Sequence, residues 1–223
     1  MSLSYFIPYI LELSSTPIII MMTIIFLLLD TIMKLFVFDN KCISETIRWH
    51  ILHIIGNLFI TYHCLSDSYL VLIDPLNAIV NPYSIIPIVL VFVMHFYHWI
   101  FFQISSNDKI HHFLFVFIMG TLNYFYGFGP VSNLIIMFMS GFPGIVNYLL
   151  LILVELELIQ KSLEKEINIY NNLYVRSVGI LFGVSILFIN SFMLNFWHRI
   201  ICFMIMVLCI INSQIYIHKA IID

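Results

Sequence analysis

Seven apolar runs of about bilayer length, each ended by Pro, Gly or charge, constrain this chain more than any other feature. An α-helix rises 1.5 Å per residue, so about 20 apolar residues cross the hydrocarbon core. The runs are 17–38, 49–65, 84–104, 112–129, 131–158, 174–194 and 198–218, the fifth broken inside by Gly141 and Pro143. One water-soluble core cannot hide them. The chain of 223 residues is 62% hydrophobic and only 9% charged, whereas soluble domains carry about 25% charged residues. The expected fold is all-α: a polytopic membrane helical bundle of about seven transmembrane helices. A net charge of −3 leaves no basic footprint, so nucleic acid is not an expected partner.

Positive residues collect on the cytosolic side of membrane proteins. With seven spans, Lys34, Lys41, Arg48, Lys109, Lys161, Lys165, Arg176 and Lys219 fall on one side and Arg199 alone on the other. Six or eight spans would scramble that alternation. The N-terminus is therefore expected in the lumen or outside, and the C-terminus in the cytosol. Residues 1–15, with Pro8 and no basic start, read as an interfacial lead-in rather than a signal peptide. The stretch 66–83 is apolar but carries Asp67, Asp74, Pro75 and Pro82, so a loop along the lumenal face is expected. The polar stretch 159–172, with Glu157 and Lys161 four residues apart, reads as a helical extension with a solvated face. Cys42, Cys64, Cys202 and Cys209 show no metal-site spacing and read as apolar filler.

Ionisable residues within spans are costly and point to function. Asp30 and Lys34 lie four apart and can pair. Seven of nine histidines fall in one half of the bundle under this topology: His50, His53, His95, His98, His111, His112 and His218. Three readings follow. Each ring can simply hydrogen-bond backbone or headgroups. Together they can form a metal site like the histidine boxes of lipid hydroxylases, since imidazole suits iron and zinc. Or His111 and His112, opening the fourth span, can move a proton in a lipid reaction.

Several motifs resemble those of the TLC-domain membrane proteins, which include ceramide synthases and smaller lipid-composition proteins. "RWHILH" opens the second span with Arg48 and His53. "DKIHH" places Asp108 before His111 and His112. "MSGFPGIVNY" carries a Pro-containing break at Pro143 followed by Asn147 and Tyr148. The resemblance covers roughly 45–218. It departs in two places: the window "NLIIMFMSGFPGIV" has no acid and no His, and the preceding helix has His95 and His98 where the smaller TLC proteins commonly have Asp.

The resemblance implies an N-terminal segment with one helix (1–44), a six-helix membrane domain (45–218) and a short cytosolic tail (219–223). It implies a protein of an internal membrane, such as the endoplasmic reticulum, that handles lipid and affects lipid composition. One alternative is an acyl-CoA-dependent N-acyltransferase using His111 and His112, with acyl chains or sphingoid bases as partners. The other is a metal-dependent hydroxylase. Under the lipid-handling reading no cofactor is expected, and acyl-CoA enters only as a substrate. His53, His95, His98, Asp108, Asn123, Pro143 and Asn147 are the expected lining or supporting residues. Pro143 would be tolerated because neighbouring helices satisfy the carbonyls it frees. The glycines of "GTLNYFYGFGP" permit close approach at the lumenal end.

Overall fold

The computed structural model describes residues 16–37 and 44–222. The lead-in 1–15, Lys41, Cys42 and Asp223 lie outside them. The described residues form seven helices and no strand. They are α1 (Thr16–Val37), α2 (Glu45–Ile73), α3 (Ile86–Phe101), α4 (106–126), α5 (Gly129–Glu155), α6 (Lys161–Ser191) and α7 (Phe196–Ile222). Four of them, α1, α5, α6 and α7, are long and apolar enough to cross a membrane. The shorter α3 is equally apolar. Five of the polar residues that dilute α2 are turned inward: His50, His53, Asn57, Asp67 and Ser68 are all buried.

Local chemistry sets the helix ends. Ser44 and Ser105 accept N–H bonds from Ile47 and Asp108 at the starts of α2 and α4, satisfying donors that a helix start leaves free. Pro87 and Pro130 sit in the first turns of α3 and α5, where a missing N–H costs nothing. Between α4 and α5, Gly129 has φ +59°, and a Cβ there would collide with the Ala78 carbonyl. Only glycine fits that crossing of two chains.

Successive helices run in alternate directions. At one end, Arg48 meets Asp30 at 3.0 Å, the Gln103 amide donates to Glu45, Ser44 meets Glu155, and Lys219 approaches Asp108 to 3.9 Å. At the other end, Asp67 accepts from Ser84 N and Asn133 Nδ2, Asn190 donates to the Pro75 carbonyl, and the Tyr126 and His198 rings meet. Helices α2 to α7 surround a common axis. Helix α1 packs outside this ring, against α2 and α3, and is fastened by Asp30. That carboxylate takes Lys34, Arg48 and the Tyr97 hydroxyl together.

Four expectations need correction. The stretch 66–83 is not a loop throughout: α2 continues to Ile73 and carries Asp67 into the interior, where Asn133 and Ser84 satisfy it. Helix α4 begins at Ser106, so His111 and His112 lie more than a turn inside it instead of at its opening. The stretch 159–172 does not extend α5. The chain turns at Glu157, whose φ is +58°, and 161–170 is the first part of α6. Its Glu164 and Asn168 are buried and bonded to each other, so that face is not wholly solvated. Arg176 is no interfacial charge: it is 2% exposed inside the ring. The described cysteines are free and buried among apolar residues.

Candidate functional site

Three helices widen at the same level of the bundle. In α4, α5 and α6, residues 112–118, 137–141 and 171–176 form π-helical turns. Their closing bonds run from Met119 to Leu114, Phe142 to Met137 and Ser177 to Asn172. Such turns insert one residue and turn side chains off the regular helical stripe, often at functional sites. Each of the three supplies residues to one cavity on the axis: Phe115 and Val116, Met139 and Ser140, and Arg176.

The α5 turn has an identifiable cause. Pro143 has no N–H to offer the carbonyl of Met139 four residues back. That carbonyl instead receives a guanidinium N–H of Arg176. Further along, the Pro143 carbonyl accepts from Asn171 at 2.9 Å, and Asn147 accepts from Asn168 at 2.8 Å. Side chains of α6 thus fasten the broken part of α5 at three levels, so the freed carbonyl is satisfied by a neighbouring helix. On its other side α5 approaches α2 through Gly144, whose missing Cβ leaves room for the Asn57 amide.

The cavity of about 60 Å³ is lined on its polar side by residues of six helices, among them His53, Asn57, His95, His111, Asn147, Arg176, Asn212 and Tyr216. A second cavity of about 50 Å³ adjoins it. Val91, Phe115, Met139 and Ser140 line both. The second is apolar, walled by residues such as Ile135, Leu187 and Ile205, with Asn123 and Ser132 near its far end. There the Ser132 hydroxyl donates to Asn123 Oδ1 at 2.7 Å. No residue of α1 lines either cavity.

The histidine pair divides. His112 is buried against α3, its ring centroid 4.9 Å from His95 and 5.4 Å from His98. His111 lines the polar cavity, with Nε2 3.4 Å from the Tyr216 hydroxyl of α7. Behind them, His98 stacks on Trp49 at 3.8 Å, and His53 meets Tyr148 at 4.7 Å. His53 and His95 hold their Nδ1 atoms on the carbonyls of Trp49 and Val91, at 3.0 and 2.7 Å. A carbonyl only accepts, so Nδ1 carries the proton in both rings. Nε2 of His53 then faces away as an acceptor when the ring is neutral, and no group among the described residues bonds it.

Asp108 stands apart. Its carboxylate accepts from the Ser105 hydroxyl at 2.7 Å and approaches Lys219, so it steadies the Ser105 cap of α4 rather than bonding either ring of the pair. His63 and His198 lie on other parts of the bundle, and His218 near the end of α7. Among the described residues, no three His, Cys, Asp or Glu side chains are grouped to hold one metal ion.

Sequence reasoning missed Arg176, Asn57, Tyr216 and Asn212 as lining residues. Arg176 was taken as a flanking charge. The signal that marks it is its position inside one continuous helix of 31 residues, at the step from a polar first part to an apolar second part. Searches against family models, curated proteins and solved structures match nothing to this chain.

Proposed function

We propose that this chain is a seven-span integral membrane protein, similar to TLC-domain proteins, that takes up a lipid acyl chain on the axis of its six-helix ring. It thereby affects the lipid composition of its membrane, an internal one such as the endoplasmic reticulum. The reading rests on the two joined cavities, one polar and one apolar, with common walls at Val91, Phe115, Met139 and Ser140. A polar head and an apolar tail need that succession. The cavities as they stand admit a headgroup and a few methylenes, since one water occupies about 30 Å³. A whole chain requires the helices to part. Met94, Met119 and Met139 in the walls are side chains that repack readily.

Orientation follows from charge. Of the eight Lys and Arg in the described residues, Lys34, Arg48, Lys109, Lys161, Lys165 and Lys219 stand at the end nearer the polar cavity. That end is assigned to the cytosol, with the N-terminus lumenal. Arg199, at the opposite end, is occupied with the carbonyls of Ser191, Phe192 and Leu194. It caps the C-terminus of α6, which accounts for a cation on that side.

Binding of a fluorescent long-chain acyl probe to the full chain in lipid nanodiscs tests the proposal. Met139→Trp fills the junction of the two cavities and should reduce binding at least about ten-fold, the effect of losing about 1.4 kcal/mol. Equal binding by both forms contradicts the axial site.

A second reading is acyl-CoA-dependent N-acyl transfer, favoured by His111 facing the polar cavity beside Tyr216. An amine nitrogen would attack the thioester carbonyl and give its proton to His111. The C–S bond would break as the amide forms, and the thiolate would leave and recover the proton. Turnover of long-chain acyl-CoA with a sphingoid base, lost in His111→Ala, separates this from binding alone.

A further inference from the structure

Arg176 is the feature that lipid uptake alone leaves unexplained. It is 2% exposed and lies where the polar first part of α6 gives way to its apolar second part. Among the described residues no carboxylate forms an ion pair with it; the acids that do pair hold Lys34, Arg48 and Lys219. Its guanidinium lies 3.9 Å over the Tyr216 ring and donates one N–H to Met139. These contacts offset part of its charge but supply no anion. Its Nε has no partner among the described residues. A guanidinium held this way is costly unless an anion joins it.

A second donor lies on the same cavity. Asn57 Nδ2, buried on α2, is also without a partner among the described residues, while Asn57 Oδ1 accepts from Ser140 and so fixes the amide with its NH₂ group turned away from Ser140. Two residues that line the polar cavity, from two different helices, therefore carry N–H donors unpartnered among the described residues, one of them charged. An anionic oxygen group takes two such donors, and a planar guanidinium suits carboxylate and phosphate better than any other side chain does. Immediately beyond lies the apolar cavity.

We infer that Arg176, with Asn57, anchors an anionic head, a carboxylate or a phosphate monoester, carried on a single acyl chain whose tail enters the apolar cavity. This deepens the lipid-uptake reading and rests on it. Neutral heads such as esters and alcohols supply no charge for Arg176 and are selected against. The Met139 bond holds the guanidinium in place while its Nε edge stays available, so the same proline that breaks α5 helps orient the anchor.

Displacement of the acyl probe from the full chain, in nanodiscs of neutral lipid, tests this. The competitors are a fatty acid, its methyl ester and the matching alcohol, compared at equal lipid-phase mole fraction, together with acetate and inorganic phosphate. The fatty acid should compete at least about ten-fold better than ester or alcohol, the usual size of a hydrogen bond to a charged group. Arg176→Gln, which can still donate to Met139, should bring the three within about two-fold of one another, and Arg176→Lys should keep the preference for the acid. If Arg176→Gln does not fold, the wild-type ratio and the Lys variant decide. Equal competition by acid, ester and alcohol in the wild type overturns the anchor and leaves lipid uptake standing. Displacement by acetate or phosphate alone as strong as by fatty acid keeps an anion site and removes the lipid reading. Failure of the probe to bind removes both.

Discussion

The guanidinium of Arg176 donates to the main-chain carbonyl of Met139, across a helix boundary and 37 residues of sequence. That carbonyl is the one Pro143 leaves without its ordinary donor. One arginine thus repairs a break in α5 and sets a charge beside the axial cavity. The two roles predict an energetic coupling. Arg176→Leu alone orphans a buried carbonyl, a loss of about 2 kcal/mol that removal of an unpaired buried charge offsets in part. In a Pro143→Ala background, a backbone N–H becomes available for that carbonyl, and the same change should cost about 1 kcal/mol less. Denaturant unfolding of the four forms in micelles measures the difference. Additive losses would show that the Pro143 break and Arg176 are independent.

Asp30 ties α1 to the ring through Lys34, Arg48 and Tyr97. Asp30→Ala leaves Arg48 and Tyr97 without their partner and should lower stability by about 3 kcal/mol. Because α1 lines neither cavity, acyl-probe affinity of the folded fraction should change less than two-fold. Thermal unfolding and probe binding, run on one preparation, check both. A large loss of affinity in well-folded Asp30→Ala would mean that α1 takes part in the site.

His111 and His112 should separate in their effects. His112 is 4% exposed and packed on His95 and His98, so His112→Ala opens a void and should cost about 2 kcal/mol of stability. His111 faces the cavity and one phenol, so His111→Ala should cost less than 1 kcal/mol. Thermal unfolding ranks the two. The reverse order would put the wrong ring on the cavity.

The number of helices was legible in sequence, because apolar run length records it directly. Helix ends were less so. Asp67 looked like a loop residue since its partners, Asn133 and Ser84, are far off in sequence. The start of α4 was hidden because its cap, Ser105, precedes charged residues that resemble a loop. The convergence of His53, His95, His98 and His112 could be anticipated from their common end of the bundle. Adjacent helical residues point about 100° apart, so one ring of His111 and His112 was expected to face inward and the other a neighbouring helix; which ring does which was not readable. Arg176 was misplaced because counting charges by side assumes each one reaches water.

Topology carries a direct expectation. A reporter fused after Asp223 should be cytosolic and one inserted next to Leu76 lumenal, since α2 and α7 end at opposite faces of the bundle. Glycosylation or protease-protection mapping reads this. Both reporters on one face would rule out seven spans.

The claim that a lipid chain occupies the axis of the ring is tested most directly by mass spectrometry of lipids extracted from the purified full chain. Wild-type protein should carry single-chain anionic lipid at close to one molecule per chain, and Met139→Trp, purified in parallel, should carry several-fold less. Lipid content in the wild type no greater than in the Met139→Trp form, or composed only of bulk membrane lipid, would contradict it.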